Sequence, residues 1–226
     1  MLLRADFHMH SHFSPDSVLS PRRMAERCRA VGLTCVAVTD HNSIQGAMAI
    51  REFAVDIKVI IGEEVTTADG EVTGLFLEKE IPKGLSAVET CKRIKDQGGV
   101  VSVPHPFDRY RTKVISRSAL EDIRPFIDIV EAFNARNNRR VDNEKARAFA
   151  VEHGYLMTGV TDSHTAMELG RTYTEMPDFD GTPDGFKEAL REARIVGRPM
   201  TPLIHGVTTV TKVRKKYFMR GKVSGV

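Results

Sequence analysis

The chain has 226 residues, a length that suits one well-packed core and falls short of what usually divides into two large domains. Apolar residues make up 41% of the chain and charged residues 28%, and tryptophan is absent, which argues against a membrane protein or a carbohydrate-stacking surface. We therefore expect one folded, soluble domain over residues 1–226.

Basic residues are concentrated at the C-terminal end. The net charge is +3, yet residues 209–226 contain six lysines and arginines and no acid, so the remainder of the chain is acidic by three charges. The basicity is therefore local. We interpret residues 198–226 as a basic extension of the domain.

The sequence also bears on location and redox state. Arg4 and Asp6 interrupt the apolar segment that a secretory signal needs, and the longest apolar stretch is far shorter than the ~18 residues of a membrane-spanning helix. We expect a cytoplasmic protein with no membrane partner. The three cysteines, Cys28, Cys35 and Cys91, lack metal-type spacing and are interpreted as reduced core residues.

Strand-like apolar runs alternate with amphipathic stretches, a pattern typical of an α/β fold with largely parallel strands. The first strand is predicted over residues 5–9. Ser20 followed by Pro21 predicts a helix start, and apolar residues at helical spacing continue to a stop at Gly32. These elements form one βα unit.

The later elements continue this alternation with one interruption. The turn Ala68-Asp69-Gly70 and the run 71–77 predict a hairpin, because Asp-Gly favours tight turns. Strand 156–160 is predicted to be the last of the series. The remaining predicted strands are 33–39, 59–61, 100–103 and 127–133, and the remaining predicted helices start near Ser43 and Ser118 or cover 86–96, 138–151 and 184–194.

Histidines and carboxylates recur at the C-terminal ends of these strands. His8 and His10 are two residues apart on a strand, so their side chains point to the same face. In barrels of strand-helix repeats the active site is assembled from these strand ends, so residues distant in sequence converge there. The pattern predicts a metal site. The further candidate ligands are His41, Glu64, His105, Asp162 and His164.

The motifs around these residues resemble those of the PHP family, named for polymerase and histidinol phosphatase. The resemblance covers residues 2 to about 170. It implies an α/β fold, a distorted (β/α)7 barrel with the metal site at the C-terminal ends of the strands, and a metal-dependent phosphoesterase. The motifs are Asp6-Phe-His8-Met-His10-Ser, Thr39-Asp40-His41, Gly62-Glu-Glu64, His105-Pro and Thr161-Asp162-Ser-His164.

The resemblance also implies how the ligands are shared between two or three divalent ions. The chain departs from family members with three ions in one respect, because no histidine lies between Glu64 and His105 to complete the second site. Catalytic roles are expected for Glu64, His105, Asp162 and His164. The implied ligand sets are His8, His10, Glu64 and Asp162 for one ion, Glu64 and His105 for a second, and Asp16, His41 and His164 for a third.

Neighbouring polar residues are given other roles. We expect His12 to face solvent or to support the ligands, and Glu63 to face away from Glu64 because strand residues alternate. Asp6 and Asp40 either accept an imidazole N–H or act as solvated caps. Substrate contacts are predicted for Asn134, Arg136, Arg109, Arg111 and Arg171.

Imidazole and carboxylate ligands suit Mn, Zn or Fe, and bridged ions would activate a water molecule for attack on phosphorus. We expect a phosphatase or phosphodiesterase acting on a nucleotide, a short oligonucleotide or a small phosphorylated metabolite. Two alternatives stay open. One is a metal-assisted hydrolase of an amide or lactone, and the other is a non-catalytic metal-binding module, although such a module is expected to lose ligands that this chain retains.

Overall fold

The computed structural model describes residues 2–137, 139–200, 210–211 and 213–215. Within these residues nine strands form one sheet, with helices packed around it. The strands are β1 (Leu2–Asp6), β2 (Cys35–Val38), β3 (Lys58–Thr66), β4 (Glu71–Leu75), β5 (Val100–Val103), β6 (Ile129–Asn134), β7 (Leu156–Val160), β8 (Thr172–Pro177) and β9 (Arg194–Gly197). The helices are α1 (Pro21–Ala30), α2 (Gln45–Arg51), α3 (Ala87–Asp96), α4 (Arg117–Asp122), α5 (Arg140–His153) and α6 (Pro183–Arg191), with a short 3-10 helix at Arg124–Phe126.

The strand order across the sheet is β7-β6-β5-β4-β3-β2-β1-β8-β9. Strands β1, β2 and β3 run parallel, as do β5, β6 and β7, while β4 is antiparallel to both of its neighbours. The sheet curls into a nearly closed barrel. The Thr174 hydroxyl of β8 accepts a hydrogen bond from Gly159 N of β7 (2.9 Å) and lies 3.1 Å from Gly159 O.

Four helices of the described chain begin at a capping side chain, whereas α2 and α5 begin without one. Ser20, Ser86, Ser116 and Thr182 each accept a hydrogen bond from a backbone N–H of the first turn, which satisfies one of the donors left free at a helix start. Pro21 occupies the first turn of α1, as predicted. The predicted hairpin is confirmed as the β3-β4 pair.

The expectation that residues 156–160 form the last strand is wrong, because β8 and β9 follow it. β8 carries buried polar side chains, including Thr172, Thr174 and Glu175, and so lacks the apolar alternation that identifies a strand in sequence. Helix α6 ends at Arg191, and Arg194, expected at its end, begins β9. β8 pairs antiparallel with β1, and β9 pairs with β8.

The end of the barrel interior that lies next to helix α6 is apolar. Alternate residues of the parallel strands, such as Ala5, Ala37 and Ile60, pack with Phe186 of α6, which is fully buried and lies edge-on to Phe7 with ring centroids 5.0 Å apart. Helix α6 therefore closes one end of the barrel. The polar side chains described below fill the other end.

The three cysteines are unpaired and buried, as expected for core residues. Burial raises the pKa of Cys28, Cys35 and Cys91 to about 12, so their thiols stay protonated and unreactive at neutral pH.

In the described part of the chain, we find no helix with the length and apolar character needed to cross a bilayer.

Candidate metal centre

The candidate ligands predicted from strand ends lie together at one end of the barrel. Isolated bridges between Met9 and Ser163 and between His41 and Glu64 continue the strand pairing just beyond the regular strands, which brings these segments side by side. His105 and Asp162 have positive φ angles of 31° and 54°, a conformation that costs energy for residues other than glycine and often marks functional sites.

Four ligand atoms converge in the first group. His8 Nε2 and His10 Nε2 are 3.0 Å apart, and Glu64 Oε2 is 3.5 Å from each of them. Asp162 Oδ1 lies 3.7 Å from His8 Nε2 and 3.4 Å from His10 Nε2. Ligand atoms bonded to one ion at ~2.1 Å are about 3.0–3.4 Å apart, so this spacing suits a shared ion.

Hydrogen bonds fix which ring nitrogen faces this group. His8 Nδ1 is 2.5 Å from Glu131 Oε1, and because a carboxylate only accepts, His8 Nδ1 carries the proton. His10 Nδ1 donates to Ser14 Oγ (3.1 Å), whose own proton goes to Asp40 (2.6 Å). In their neutral forms both rings then point an Nε2 lone pair at the other across 3.0 Å, an arrangement that a cation between them stabilises.

A second group surrounds Asp16. Its Oδ2 is 3.3 Å from His41 Nε2, and its Oδ1 is 3.4 Å from His164 Nε2. His10 links this group to the first, since its ring centroid is 4.3 Å from that of His164 and 4.5 Å from that of His41. Nitrogens of His10, His41 and His164 lie close enough to share an ion.

A third group contains a residue that sequence reasoning missed. Glu64 Oε1 is 3.1 Å from His105 Nε2, and Glu64 Oε2 is 3.0 Å from His41 Nδ1. Glu71 of β4 lies beside them, with Oε1 3.7 Å from His41 Nδ1 and Oε2 3.9 Å from His105 Nε2. The Asp-Gly turn predicted the hairpin but not its register, and the observed pairing of Glu64 with Thr73 is what places Glu71, two residues before Thr73, on the face of Glu64.

Several buried atoms of these groups have no hydrogen-bond partner among the described residues. Such atoms are rare in folded proteins because each carries a desolvation cost. Imidazole and carboxylate donors without thiolate suit Mn, Zn or Fe, so the residues fit divalent ions. The unpartnered atoms are Asp16 Oδ1, His41 Nδ1, Glu64 Oε2, Glu71 Oε1, His105 Nδ1 and Asp162 Oδ1.

Charges within the cluster shift its pKa values in opposite directions. Burial opposes protonation of His8, but Glu131, Asp162 and Glu64 outweigh it and raise the pKa of His8 well above its usual value. For His41 burial is likewise outweighed, by Glu64 and Asp16, which raise its pKa to about 10. Burial and the neighbouring histidines lower the pKa of His10 to about 4. Ion binding and protonation therefore compete at these rings.

Two buried hydrogen-bond networks support the candidate ligands. Glu131 contacts His8 and also accepts hydrogen bonds from His105 N (3.0 Å) and Asn134 Nδ2 (2.9 Å). Asp40 accepts from Ser11 and Ser14, and Ser14 Oγ also accepts from His41 N (3.0 Å).

Glu131 therefore accepts the imidazole N–H of His8, a role that was expected of Asp6 or Asp40. Asp40 reaches His10 only through Ser14. Asp6 accepts instead from the backbone N–H and the hydroxyl of Thr161, while burial raises its pKa to about 7.

The five predicted substrate contacts occupy different environments. Asn134 and Arg136 are buried, and Asn134 Nδ2 donates to Asp162 Oδ2 (3.1 Å) while Arg136 contacts His164 and lies 3.6 Å from Glu168 Oε1. Arg111 is partly exposed, donating to Asp162 Oδ2 and to Asp108 Oδ2. Arg109 and Arg171 are more exposed, and only Arg109 forms an ion pair within the described residues, at 3.7 Å from Asp142. Their contact with substrate stays a prediction.

Other residues follow the sequence expectations. Glu63 faces away from Glu64, as strand alternation predicted, and its Oε2 accepts a hydrogen bond from Ile81 N (2.8 Å). His12 is exposed and stacks on Phe13 with ring centroids 4.5 Å apart. Most of the predicted basic extension lies outside the described residues, but Lys215 donates to His12 O (2.6 Å) and Ser14 O (2.7 Å) in the loop after β1.

Curated relatives share the same region of sequence. The chain is 36% identical over 156 residues to an uncharacterized protein of Methanocaldococcus jannaschii, covering 64% of this chain and 89% of that one. A second uncharacterized protein of the same organism is 31% identical over 181 residues, covering 79% and 72%. A 5'-3' exoribonuclease of Haemophilus influenzae is 32% identical over 108 residues, which cover 44% of this chain and 38% of the relative.

Solved structures share the fold. A two-domain Bacteroides vulgatus protein described as containing a predicted PHP-like metal-dependent phosphoesterase has a TM-score of 0.73 at 21% identity, with 88% of this chain and 65% of that one covered. The lesion-specific endonuclease EndoQ of Pyrococcus furiosus has a TM-score of 0.64 at 16% identity (89% and 60%). An amidohydrolase of Chromobacterium violaceum has a TM-score of 0.62 at 16% identity (84% and 97%).

Two family models match consecutive parts of the sequence. Residues 6–143 match the PHP domain, and residues 140–195 match the PHP-associated model. The first match includes the His8-His10 pair, Glu64 and His105, while the second includes Asp162 and His164. The α/β fold with its nearly closed barrel agrees with both, and the chain therefore belongs to the PHP domain family.

Proposed function

We propose that this protein hydrolyses phosphate esters with the help of divalent metal ions. The observation that carries the proposal is the pair of His8 and His10 Nε2 atoms 3.0 Å apart, faced by carboxylate oxygens of Glu64 and Asp162 within 3.4–3.7 Å. Family membership supports a metal-dependent hydrolase. The exact substrate is our proposal.

The residues proposed to hold the ions are those predicted from sequence. His8, His10, Glu64 and Asp162 would hold the first, Glu64 and His105 the second, and Asp16, His41 and His164 the third. Bound manganese, zinc or iron would polarise the phosphoryl group and lower the pKa of a bound water. Glu64, His105, Asp162 and His164 are the residues we expect to be indispensable for turnover.

Arg111 is the side chain best placed to meet a phosphoryl group. Its guanidinium donates to the Asp162 carboxylate and to Asp108, so it is held at the edge of the ligand cluster, and 23% of its side chain is exposed. A guanidinium offers several N–H donors in one plane, which suits phosphate oxygens. Arg136 is buried and contacts His164, and we propose that it influences phosphate binding indirectly, by positioning His164.

The loops around the cluster also carry features that suit a nucleotide or short oligonucleotide with a terminal phosphate. Phe13 follows β1, stacks on His12 and is 43% exposed, and Tyr110 follows β5 and is 66% exposed. Aromatic side chains beside cations can stack bases while the cations contact the backbone. The H. influenzae relative is named an exoribonuclease and the P. furiosus neighbour an endonuclease. A small phosphorylated metabolite is the other substrate class.

The alternative function is hydrolysis of an amide or lactone. One observation favours it, because the C. violaceum neighbour is named an amidohydrolase, and a metal-bound water serves either reaction.

One screen separates these functions. The full-length protein is stripped of metal, reloaded with Mn²⁺, Zn²⁺ or Fe²⁺, and assayed for phosphate release from an aryl phosphate, phosphorylated metabolites and 5'-phosphorylated oligonucleotides, beside amide and lactone substrates. We expect phosphate release that chelator abolishes and metal restores. Turnover of amides or lactones alone would overturn the proposal. Absence of turnover with every metal would favour the other alternative, a non-catalytic metal-binding module.

The number of candidate ligands also predicts the metal content. They exceed what one four- to six-coordinate ion can use, so we expect at least two ions per chain after reconstitution. Metal analysis by mass spectrometry measures this ratio. At most one ion per chain would contradict the multinuclear site.

A further inference from the structure

The second metal position lacks a ligand in the sequence-based assignment, which gives it only Glu64 and His105. Two protein ligands make a weak site for a tightly held ion, since structural and catalytic sites usually have three or more. Glu71 lies beside this position in the structure, although nothing in its local sequence marks it as a ligand.

The β3-β4 hairpin explains how Glu71 reaches the cluster. Glu64 pairs with Thr73 and Thr66 with Glu71, so Glu71 and Thr73 are two residues apart on β4 and share the face of Glu64. Because β4 runs antiparallel, Glu71 lies diagonally across from Glu64, at the distance that long side chains bridge. The turn is held by Thr67, which donates to Gly70 O through both its N–H (2.8 Å) and its hydroxyl (2.7 Å).

The two glutamates face the same pair of histidines. Each directs one carboxylate oxygen toward His41 Nδ1 and the other toward His105 Nε2, at 3.0 and 3.1 Å for Glu64 and at 3.7 and 3.9 Å for Glu71. Glu71 is 4% exposed, and its Oε1 has no hydrogen-bond partner among the described residues. Lys113 Nζ lies 3.5 Å from that oxygen.

His41 is not free to complete this position if it serves the site of Asp16. A neutral imidazole has one lone pair, and His41 directs Nε2 toward Asp16 and Nδ1 toward the two glutamates. With Nε2 as a ligand, Nδ1 carries the proton and has no lone pair left for a second ion. The second position is then left to Glu64, His105 and Glu71.

We propose that Glu71 is a metal ligand that completes the second position together with Glu64 and His105. Two carboxylates and one imidazole give this position a larger share of hard oxygen donors than the first position, where two imidazoles accompany two carboxylates. Carboxylate ligands favour Mn²⁺ over Zn²⁺ relative to imidazole, so Glu71 also sets the metal preference of the position. This inference rests on the proposed metal-dependent function of the same site.

The test counts and titrates ions rather than turnover. Metal-free full-length protein is titrated with Mn²⁺ and with Zn²⁺ by calorimetry, and bound metal is counted by mass spectrometry after gel filtration. The variants are Glu71→Gln, which keeps the shape and removes the charge, and Glu71→His, which supplies an imidazole. Glu63→Gln is the matched control, since Glu63 is a buried glutamate of the same hairpin that faces away from the cluster.

We expect Glu71→Gln to lose one Mn²⁺ per chain, or to bind it at least about 10–100-fold more weakly, while Glu63→Gln matches the wild type. Glu71→His should retain the ion and shift its preference toward Zn²⁺. Melting temperatures of the metal-free variants exclude misfolding. Wild-type stoichiometry and affinity in Glu71→Gln would overturn the inference. If Glu71→Gln loses its ion but the wild type hydrolyses no phosphate ester, the inference stands and the proposed function fails.

Discussion

At the scale of single residues, two adjacent glutamates on β3 have opposite environments. Glu64 points into the ligand cluster, where burial opposes ionisation but His8, His41 and His105 hold its pKa well below the usual value. Glu63 points the other way, and burial raises its pKa to about 7, with Glu80 adding to the effect. One carboxylate is thus held ionised within the cluster, while its neighbour titrates near neutral pH.

Removing a ligand of the second position should abolish activity without unfolding the protein. We expect Glu64→Gln and His105→Ala each to reduce turnover by at least about 100-fold, because each removes a group that binds an ion while other residues pack the core. Turnover is measured over a range of metal concentrations, with circular dichroism as the folding control. Near-normal activity in either variant would show that the second position is assigned wrongly.

The pKa of Glu63 predicts a pH-dependent stability. A raised folded-state pKa means that its contribution to stability is fully present below about 4.5 and is lost as the pH rises through about 7. The side chain introduced by Glu63→Gln cannot ionise. The unfolding free energy of the variant should therefore exceed that of the wild type by an amount that grows between about pH 4.5 and 7 and then stays constant, at about 3 kcal/mol. Urea unfolding of metal-free protein at pH 4 to 8 measures the difference. Parallel stability curves would contradict the prediction.

At the scale of elements, helix α2 packs closely against the Asp40 hydrogen-bond network, which reaches His10 through Ser14. A Cβ atom at Gly46, in the first turn of α2, would lie 1.9 Å from Asp40 Oδ2 and 2.3 Å from Ser11 Oγ. The Asp40 carboxylate cannot move away freely, because Ser11 N, Ser11 Oγ and Ser14 Oγ all donate to it. The helix therefore needs glycine at this position.

This contact predicts that Gly46→Ala affects stability and metal binding together. We expect a loss of about 1–3 kcal/mol in unfolding free energy, together with weaker Mn²⁺ binding because Ser14 no longer holds His10. Met48→Ala, on the same helix but 52% exposed, is the control and should change neither quantity. Wild-type Mn²⁺ affinity in Gly46→Ala would show that the Asp40 network does not orient His10.

Elements also show what the sequence could predict. The grouping of His8, His10, His41, Glu64 and Asp162 followed from one rule, that the C-terminal ends of parallel strands meet. Glu71 could not be found this way, because its position depends on the register of an antiparallel pair, which the hairpin turn alone leaves open by one or two residues. β8 was missed because Thr172, Thr174 and Glu175 interrupt its apolar pattern, and the Thr174 hydroxyl hydrogen-bonds to Gly159 of β7.

At the scale of the whole molecule, Lys215 of the C-terminal extension contacts the end of the barrel that carries the candidate metal centre. Lys215 donates to backbone carbonyls of His12 and Ser14, in the loop that joins His10 to Asp16. Residues 209–226 carry six cations, so their attachment here would add positive charge beside an acidic cluster. That charge suits a substrate with more than one phosphate.

Truncation after Thr208 tests this role. If the extension binds substrate, KM for a 5'-phosphorylated oligonucleotide should rise by about tenfold or more while KM for an aryl phosphate stays nearly unchanged, and added salt should erase the difference. Lys215→Ala should reproduce part of the effect, whereas Lys187→Ala, which removes an equal charge from α6, should not. Equal changes for both substrates would make the extension structural and favour a small phosphorylated metabolite.

The seam between β7 and β8 has a consequence for how the molecule opens. Within the described residues these strands are joined by the Thr174 side chain at Gly159, and Ile195 packs directly on Gly159, but no backbone ladder links them. Amide hydrogens along this edge of β7 should therefore exchange with deuterium before those of β2 or β3, which are paired on both sides. Asp162 and His164 follow directly after β7, whereas His8 and Glu64 belong to the well-paired half of the barrel. Ions bound by ligands from both halves would link β7 to the rest of the barrel. They should therefore slow amide hydrogen exchange most along β7, where the barrel is otherwise least protected.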